Sequence, residues 1–152
     1  VDIQKEVHEA LADLKYLDKE HKIEKIVEIE GDSIFVTDGR RLNVILKNII
    51  SNAIRYHNFE QSNPYIKIKI SNNSSSATIA ISDNGIGIDQ SHLENIFKMF
   101  YRADESSKGS GLGLYIVKET IDKLGGKITV ESMLNFGTTF TITVPRLKLA
   151  TV

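Results

Sequence analysis

Apolar residues along this chain switch between a helical period and strict alternation, and the switches divide it into elements. Ile3, Val7, Leu11 and Leu14 recur at helical spacing over residues 2–17. Lys25-Ile-Val-Glu-Ile29 alternates and predicts a strand, and Ile34-Phe-Val36 predicts another after the Gly31-Asp32-Ser33 turn. From about residue 39 to 57 the period is helical again. Leu42, Ile45, Leu46, Ile49, Ile50, Ala53 and Ile54 share one broad arc there, with Asp38 as the N-cap. Two alternating runs, Tyr65–Ser71 and Ala77–Ser82, flank the polar Asn72-Asn-Ser-Ser-Ser76 and predict a hairpin. Asp83-Asn-Gly-Ile-Gly-Ile88 breaks the pattern, and Leu93–Tyr101 predicts a short apolar helix. Arg102–Ser110 has almost no apolar content and should be mobile. A second long helix, about 111–124, turns Leu114, Val117, Ile121 and Leu124 inward and ends at Gly125-Gly126. Lys127–Met133 and Thr138–Val144 close the chain as strands around Asn135-Phe-Gly137. No repeat or linker interrupts this order. The predicted class is α+β, one domain over residues 1–152, with helices on one face of a mainly antiparallel sheet.

Two positions in the first long helix resist that account. Asn48 and Asn52 sit four residues apart, on one face and opposite the apolar arc, together with Arg41 and Arg55; Tyr56 lies at the border. Each asparagine costs roughly 0.5–0.7 kcal/mol relative to alanine inside a helix. Local folding gains nothing from the pair. Either this is a solvated face with incidental amides, or the amides serve a ligand. An amide oxygen suits Mg²⁺, which prefers oxygen and keeps several waters, and Arg55 one turn on is positioned for a phosphate.

Bulk composition narrows the choices. The chain has 152 residues, 41% hydrophobic and 26% charged, with a net charge of −1. Near neutrality leaves no broad field for nucleic acid or an anionic membrane, so any phosphate site must be local. There are no cysteines, which removes disulfides and thiolate metal sites. No apolar run reaches the roughly 18 residues of a membrane span, and no signal-peptide pattern is present. Val1 in place of methionine suggests a piece of a longer protein.

Two glycine segments add chemistry. In Asp83–Ile88, Gly85 and Gly87 permit close approach to bare backbone, and Asp83 ends a strand as a fixed acceptor for an exocyclic amine such as adenine's. An ordinary glycine turn accounts for the segment equally well taken alone. Gly109-Ser-Gly-Leu-Gly113 opens a helix, where unhindered N–H groups and the macrodipole favour an anion. A plain flexible hinge is the other reading. A Rossmann fingerprint fails because no strand precedes it and Leu114 stands where glycine or alanine is wanted. No Walker A sequence exists.

Read in order, these segments resemble the catalytic ATP-binding domain of bacterial sensor histidine kinases, in the superfamily of gyrase, chaperone and mismatch-repair ATPases. Asn48-Ile-Ile-Ser-Asn-Ala53 looks like the N box and Asp83–Ile88 like the first glycine box. Ile96-Phe-Lys-Met-Phe-Tyr-Arg102 looks like the F box, Gly109–Leu114 like the second glycine box, and Gly137-Thr-Thr-Phe140 like the last. The likeness spans about residues 2–146.

The resemblance implies a two-layer α/β sandwich of Bergerat type, with ATP between the asparagine helix and a lid over about 89–110. It implies Asn52 as the Mg²⁺ ligand, with Asn48 supporting phosphates or metal. Arg55 and Arg102 would act as phosphate-facing cations. Asp83 would take the adenine amine, with Thr138 assisting through water. Tyr56, Gly85, Gly87, Ile88, Gly109, Ser110, Gly111, Leu112, Gly113 and Leu114 would complete the nucleotide site. Hydrolytic relatives carry glutamate where Asn48 stands. An amide takes no proton at neutral pH, so transfer to a protein histidine fits better than hydrolysis.

The implied acceptor is a histidine on a separate dimerisation domain, with a response-regulator receiver domain downstream. His8-Glu9 superficially fits a phosphoacceptor box, but the expected arginine and proline are absent and no dimerisation hairpin fits before the N box. The isolated chain is expected to be a monomer from a homodimeric, cytoplasmically exposed sensor, unable to phosphorylate itself. Arg55 where lysine is frequent, Lys108 where glycine is common and a short lid depart from the family pattern. A nucleotide-sensing module without transfer and a serine-directed anti-sigma kinase are the competing readings.

Overall fold

The computed structural model describes residues 1–18, 23–32, 34–58, 61–101 and 112–147. The first helix, α1 (Ile3–Asp13), starts where the Asp2 side chain accepts from the Lys5 N–H at 3.1 Å, and it buries Ile3, Val7 and Ala10. A single 3-10 turn, Lys15–Leu17, follows it. Asp38 caps α2 (Gly39–Arg55) by accepting from the Arg40 and Arg41 N–H groups at 3.0 and 3.2 Å. The seven apolar residues of the predicted arc, Leu42 to Ile54, are all buried. Each of the six leucine and isoleucine side chains among them contributes about 1.5–3 kcal/mol on burial, which outweighs the helix penalty of the two asparagines. A third helix, α3 (Gly113–Leu124), buries Val117, Ile121 and Leu124, and Gly125 ends it in the left-handed conformation at φ 73°.

Among the described residues five strands make one sheet: β1 (Glu24–Glu30), β2 (Tyr65–Asn72), β3 (Ser76–Asp83), β4 (Lys127–Met133) and β5 (Gly137–Pro145). Their spatial order is β1-β2-β3-β5-β4, with β1 parallel to β2 and every other pair antiparallel. Alternation sends Ile66, Ile68 and Ile70, then Ala77, Ile79 and Ile81, then Phe140, Ile142 and Val144 to one face, where all nine are buried. The helices cover that face, with α2 in the middle packed against both α1 and α3. The expected two-layer α+β sandwich is what forms.

Two expected elements are absent. Ile34-Phe-Val36 is not a sheet strand: Ile34 makes only an isolated bridge with Asp2, and Phe35 exchanges backbone hydrogen bonds with Val1 at 2.8 Å. Phe35 is nevertheless buried, with the Arg146 guanidinium 5.7 Å above its ring, so its apolar character serves packing and not pairing. Leu93–Tyr101 is not a helix. After a 3-10 turn at Gln90–His92 the backbone closes three-residue turns, Asn95 to His92, Lys98 to Asn95 and Tyr101 to Lys98, and Phe100 takes φ 63°. Ile96 is buried and Phe97 meets Phe140 edge-on at 6.3 Å, so the segment is held by anchors and not by helical periodicity. The whole of the predicted mobile run, 102–110, and with it the second part of the expected lid, lies outside the described residues. Among the described residues no helix is long and apolar enough to cross a membrane.

Candidate functional site

The helix-facing side of the sheet is apolar until its last row, and there it turns polar. Strand register aligns Ile66, Asp83, Thr138 and Ser132 across β2, β3, β5 and β4. Directly paired residues of antiparallel strands share a face, so the carboxyl of Asp83 and the hydroxyls of Thr138 and Ser132 meet at the end of the core. Thr138 is buried. The Asp83 carboxyl accepts from the Gly85 N–H at 2.9 Å. Burial pushes the Asp83 carboxyl above the usual carboxylate range, against the lowering effects of the Gly85 N–H, the His57 charge and the Thr138 N–H.

Glycines set how closely the flanking loop approaches. A Cβ on Gly85 would stand 3.0 Å from the Tyr56 carbonyl and 3.1 Å from His57 Cα, at the end of α2. Next to it the Ile86 N–H donates to the Tyr56 carbonyl at 3.3 Å. Gly87 is at φ 76°, and a side chain there would run into the Met133 carbonyl. The Ile88 N–H donates to Ser132 Oγ at 2.7 Å, which ties this loop to β4. Asn84 holds the loop from the other side, accepting from the Tyr65 N–H at 2.9 Å and donating to the Asn63 carbonyl at 2.8 Å.

Along α2 the residues Asn48, Asn52 and Tyr56 follow one another at four-residue intervals, spanning about 12 Å of helix axis. At the Tyr56 end lies the Asp83 loop. At the Asn48 end lies α3: a Cβ on Gly113 would be 3.2 Å from Asn48 Oδ1. Asn48 Nδ2 is committed to the Val44 carbonyl at 2.8 Å, leaving its oxygen to face Gly113. The head of α3, with Leu112 and Leu114 half-buried, thus lies against the Asn48 side of α2. Asn52 is half-buried between the two ends, and Arg55 is exposed on the last turn of α2.

The fold therefore brings together Asn48, Gly113, Tyr56, Asp83, Gly85, Gly87, Ile88 and Thr138. Arg102, Gly109, Ser110 and Gly111 lie outside the described residues. Sequence reasoning passed over Ser132 and Asn84. For Ser132 a signal existed, since it is the polar continuation of the inward positions Ile128 and Val130. His8 is exposed on α1, and His92 Nδ1 contacts the Tyr101 hydroxyl. No cluster of three or more acidic or histidine side chains suited to a metal occurs among the described residues. An open concavity of about 750 Å³, lined by Glu6, Asp38, Gly39, Arg40, Asn43 and Val44, shares none of the site residues. It is a shallow surface beside a helix cap, and the convergent chemistry lies elsewhere.

Comparison with known proteins agrees with this fold. Residues 37–148 match the family model described as histidine kinase-, DNA gyrase B-, and HSP90-like ATPase. Over 130 residues the chain is 43% identical to the autoinducer 2 sensor kinase/phosphatase LuxQ of Vibrio vulnificus strain YJ016, covering 78% of this chain and 14% of that protein. It is 38% identical over 117 residues to the sensor protein SrrB of Staphylococcus aureus strain MRSA252, covering 74% of this chain and 20% of that one. It therefore spans a fifth or less of these relatives. The catalytic domain of histidine kinase ThkA, in a nucleotide-free form, superposes with a TM-score of 0.81 at 26% identity, over 96% of this chain and 93% of that one.

Proposed function

The chain belongs to the histidine kinase-, DNA gyrase B- and HSP90-like ATPase family, and from that premise we propose that it is the ATP-binding catalytic module of a two-component sensor histidine kinase. The observation that supports the reading is that two chemically different sites flank the two ends of one stretch of α2. Gly113, at the head of α3, abuts Asn48, while Gly85, beside the Asp83 carboxyl, abuts Tyr56 two helical turns away. A nucleotide laid along α2 would have its base at the carboxylate and its phosphates at the helix N-terminus.

The roles follow from chemistry. Asp83 accepts from the adenine amine, with Thr138 beside it. The N–H groups that open α3 take phosphate oxygens, and Arg55 and Arg102 supply cations. Asn52 would hold a Mg²⁺ ion through its amide oxygen, a neutral hard donor of the kind that ion prefers. When bound, that ion neutralises charge on the phosphates. Asn48 orients without accepting a proton, so water is not activated. An imidazole nitrogen brings its own lone pair: a P–N bond forms as the bond from the γ-phosphorus to the bridging oxygen breaks, and ADP leaves. The acceptor histidine belongs to a separate dimerisation domain and the phosphoryl group then goes to a receiver domain. This single module, on the cytoplasmic side where ATP is available, supplies the catalysis.

The test mixes the chain, Mg-ATP and a separately prepared histidine hairpin of the parent protein, and assays acid-labile phosphate on histidine. Transfer is expected. Tight nucleotide binding without transfer would replace the kinase reading with that of a nucleotide-sensing module.

A further inference from the structure

The geometry points to Ser132 as a positioning residue that makes the base end of the site select for an amine. Its hydroxyl touches three groups: the Ile88 N–H at 2.7 Å, the Gly137 carbonyl at 3.0 Å and Thr138 Oγ1 at 2.7 Å. A hydroxyl has one proton and two lone pairs. The amide N–H can only donate, so it occupies one lone pair. The carbonyl can only accept, so it receives the proton. Thr138 must then donate its own proton to the remaining lone pair. This is the only assignment that satisfies all three contacts.

The consequence lies at Thr138. With its proton committed to Ser132, that hydroxyl offers only lone pairs to whatever lies beside Asp83. Asp83 as a carboxylate likewise only accepts. The last row of the sheet is thus an acceptor-only surface, matched to the donor hydrogens of an exocyclic amine and mismatched to a carbonyl in the same place. Ser132 also holds the loop at its proper height: the Gln90 side chain donates to the Ser132 carbonyl at 2.7 Å, and Ile88 hangs from its hydroxyl. Ser132 is half-buried and acts on a ligand only through Thr138 and Ile88. The inference rests on the nucleotide reading above and deepens it.

The test compares ATP with inosine triphosphate, in which a carbonyl oxygen replaces the amine, by calorimetric titration of the unaltered chain, Ser132→Ala and Ser132→Thr. Ser132→Ala frees the Thr138 proton to turn toward a carbonyl. The preference for ATP should fall about tenfold, the equivalent of one hydrogen bond. Ser132→Thr keeps the hydroxyl and should restore the preference to within about threefold. Thr138→Val removes the acceptor itself and should also lower the preference for ATP, and adding Ser132→Ala to it should lower that preference no further, since Ser132 sets the preference through Thr138. Equal weakening of both nucleotides, or an unchanged preference in Ser132→Ala and Thr138→Val, would overturn the inference while leaving ATP binding intact. Failure of the unaltered chain to bind ATP would instead overturn the nucleotide reading, and this inference with it.

Discussion

Replacing Asp83 with asparagine should move stability and binding in opposite directions. The side chain keeps its shape, and its amide oxygen can still accept from the Gly85 N–H, 2.9 Å away in the native chain. What disappears is a charge held where burial disfavours it. The native carboxyl titrates above its ordinary value of 3.8, chiefly because of that burial. Between 3.8 and the raised native value the folded chain binds more protons than the unfolded one, so stability falls as pH rises through that window and levels off above it. Asp83→Asn lacks this fall. Without nucleotide it should therefore unfold at higher urea than the native chain at pH 7, and the two should converge toward pH 3.

Binding should change the other way. A hydrogen bond to a charged acceptor contributes about 1.5–3 kcal/mol, so ATP affinity should drop roughly 10- to 150-fold. The assays are urea melts across pH and calorimetric titration with Mg-ATP. A variant less stable than the native chain at neutral pH would show that the carboxylate is structural, and unchanged ATP affinity would remove adenine from its role.

Three further outcomes are expected. Asn52→Ala should abolish the Mg²⁺-dependent part of ATP affinity while raising stability by about 0.5–0.7 kcal/mol through helix propensity, and titrations with and without Mg²⁺ alongside urea melts will separate the two. Gly113→Ala puts a methyl 3.2 Å from Asn48 Oδ1; ATP affinity should fall at least about tenfold with little loss of stability, since alanine is favoured over glycine in a helix by about 1 kcal/mol. Asp18 is almost fully buried, accepting from Lys25 Nζ at 2.6 Å and the Ile23 N–H at 3.0 Å. Asp18→Ala leaves both donors stranded and should cost about 2–4 kcal/mol in a denaturation measurement, without altering nucleotide preference.

The elements most legible in sequence were those whose period and burial coincide. The α2 arc was read residue by residue because a helix packed on a sheet must bury a contiguous stripe, and Asp38 announced its start. Ile34-Phe-Val36 misled because β-rich composition predicts burial as well as pairing, and only Phe35 used it. Leu93–Tyr101 misled for a related reason: its apolar residues anchor separate turns, and the positive φ at Phe100 is invisible in composition. Strand order was not legible at all, since alternation says which face a residue takes and not which strand lies beside it. That is why Asp83 was readable as an acceptor, while at Ser132 only the polar break was legible and its role was not, since that exists only once β5 lies between β3 and β4.

That strand order governs when the site can exist. Strand β5 is inserted between β3 and β4, so Ser82 meets Thr139 across 57 positions of sequence. Contacts so distant close late, because chain entropy is lost before they are rewarded. During vectorial synthesis, Asp83 emerges with its hairpin already complete but with no hydroxyl beside it, and the edge of β3 stays open until the C-terminal strands arrive. A nascent or truncated chain ending before β5 would expose an unpaired strand edge and should bind no nucleotide. Nucleotide capture is thus a property of the finished topology, and the ligand can serve as a reporter of the moment the last central strand docks.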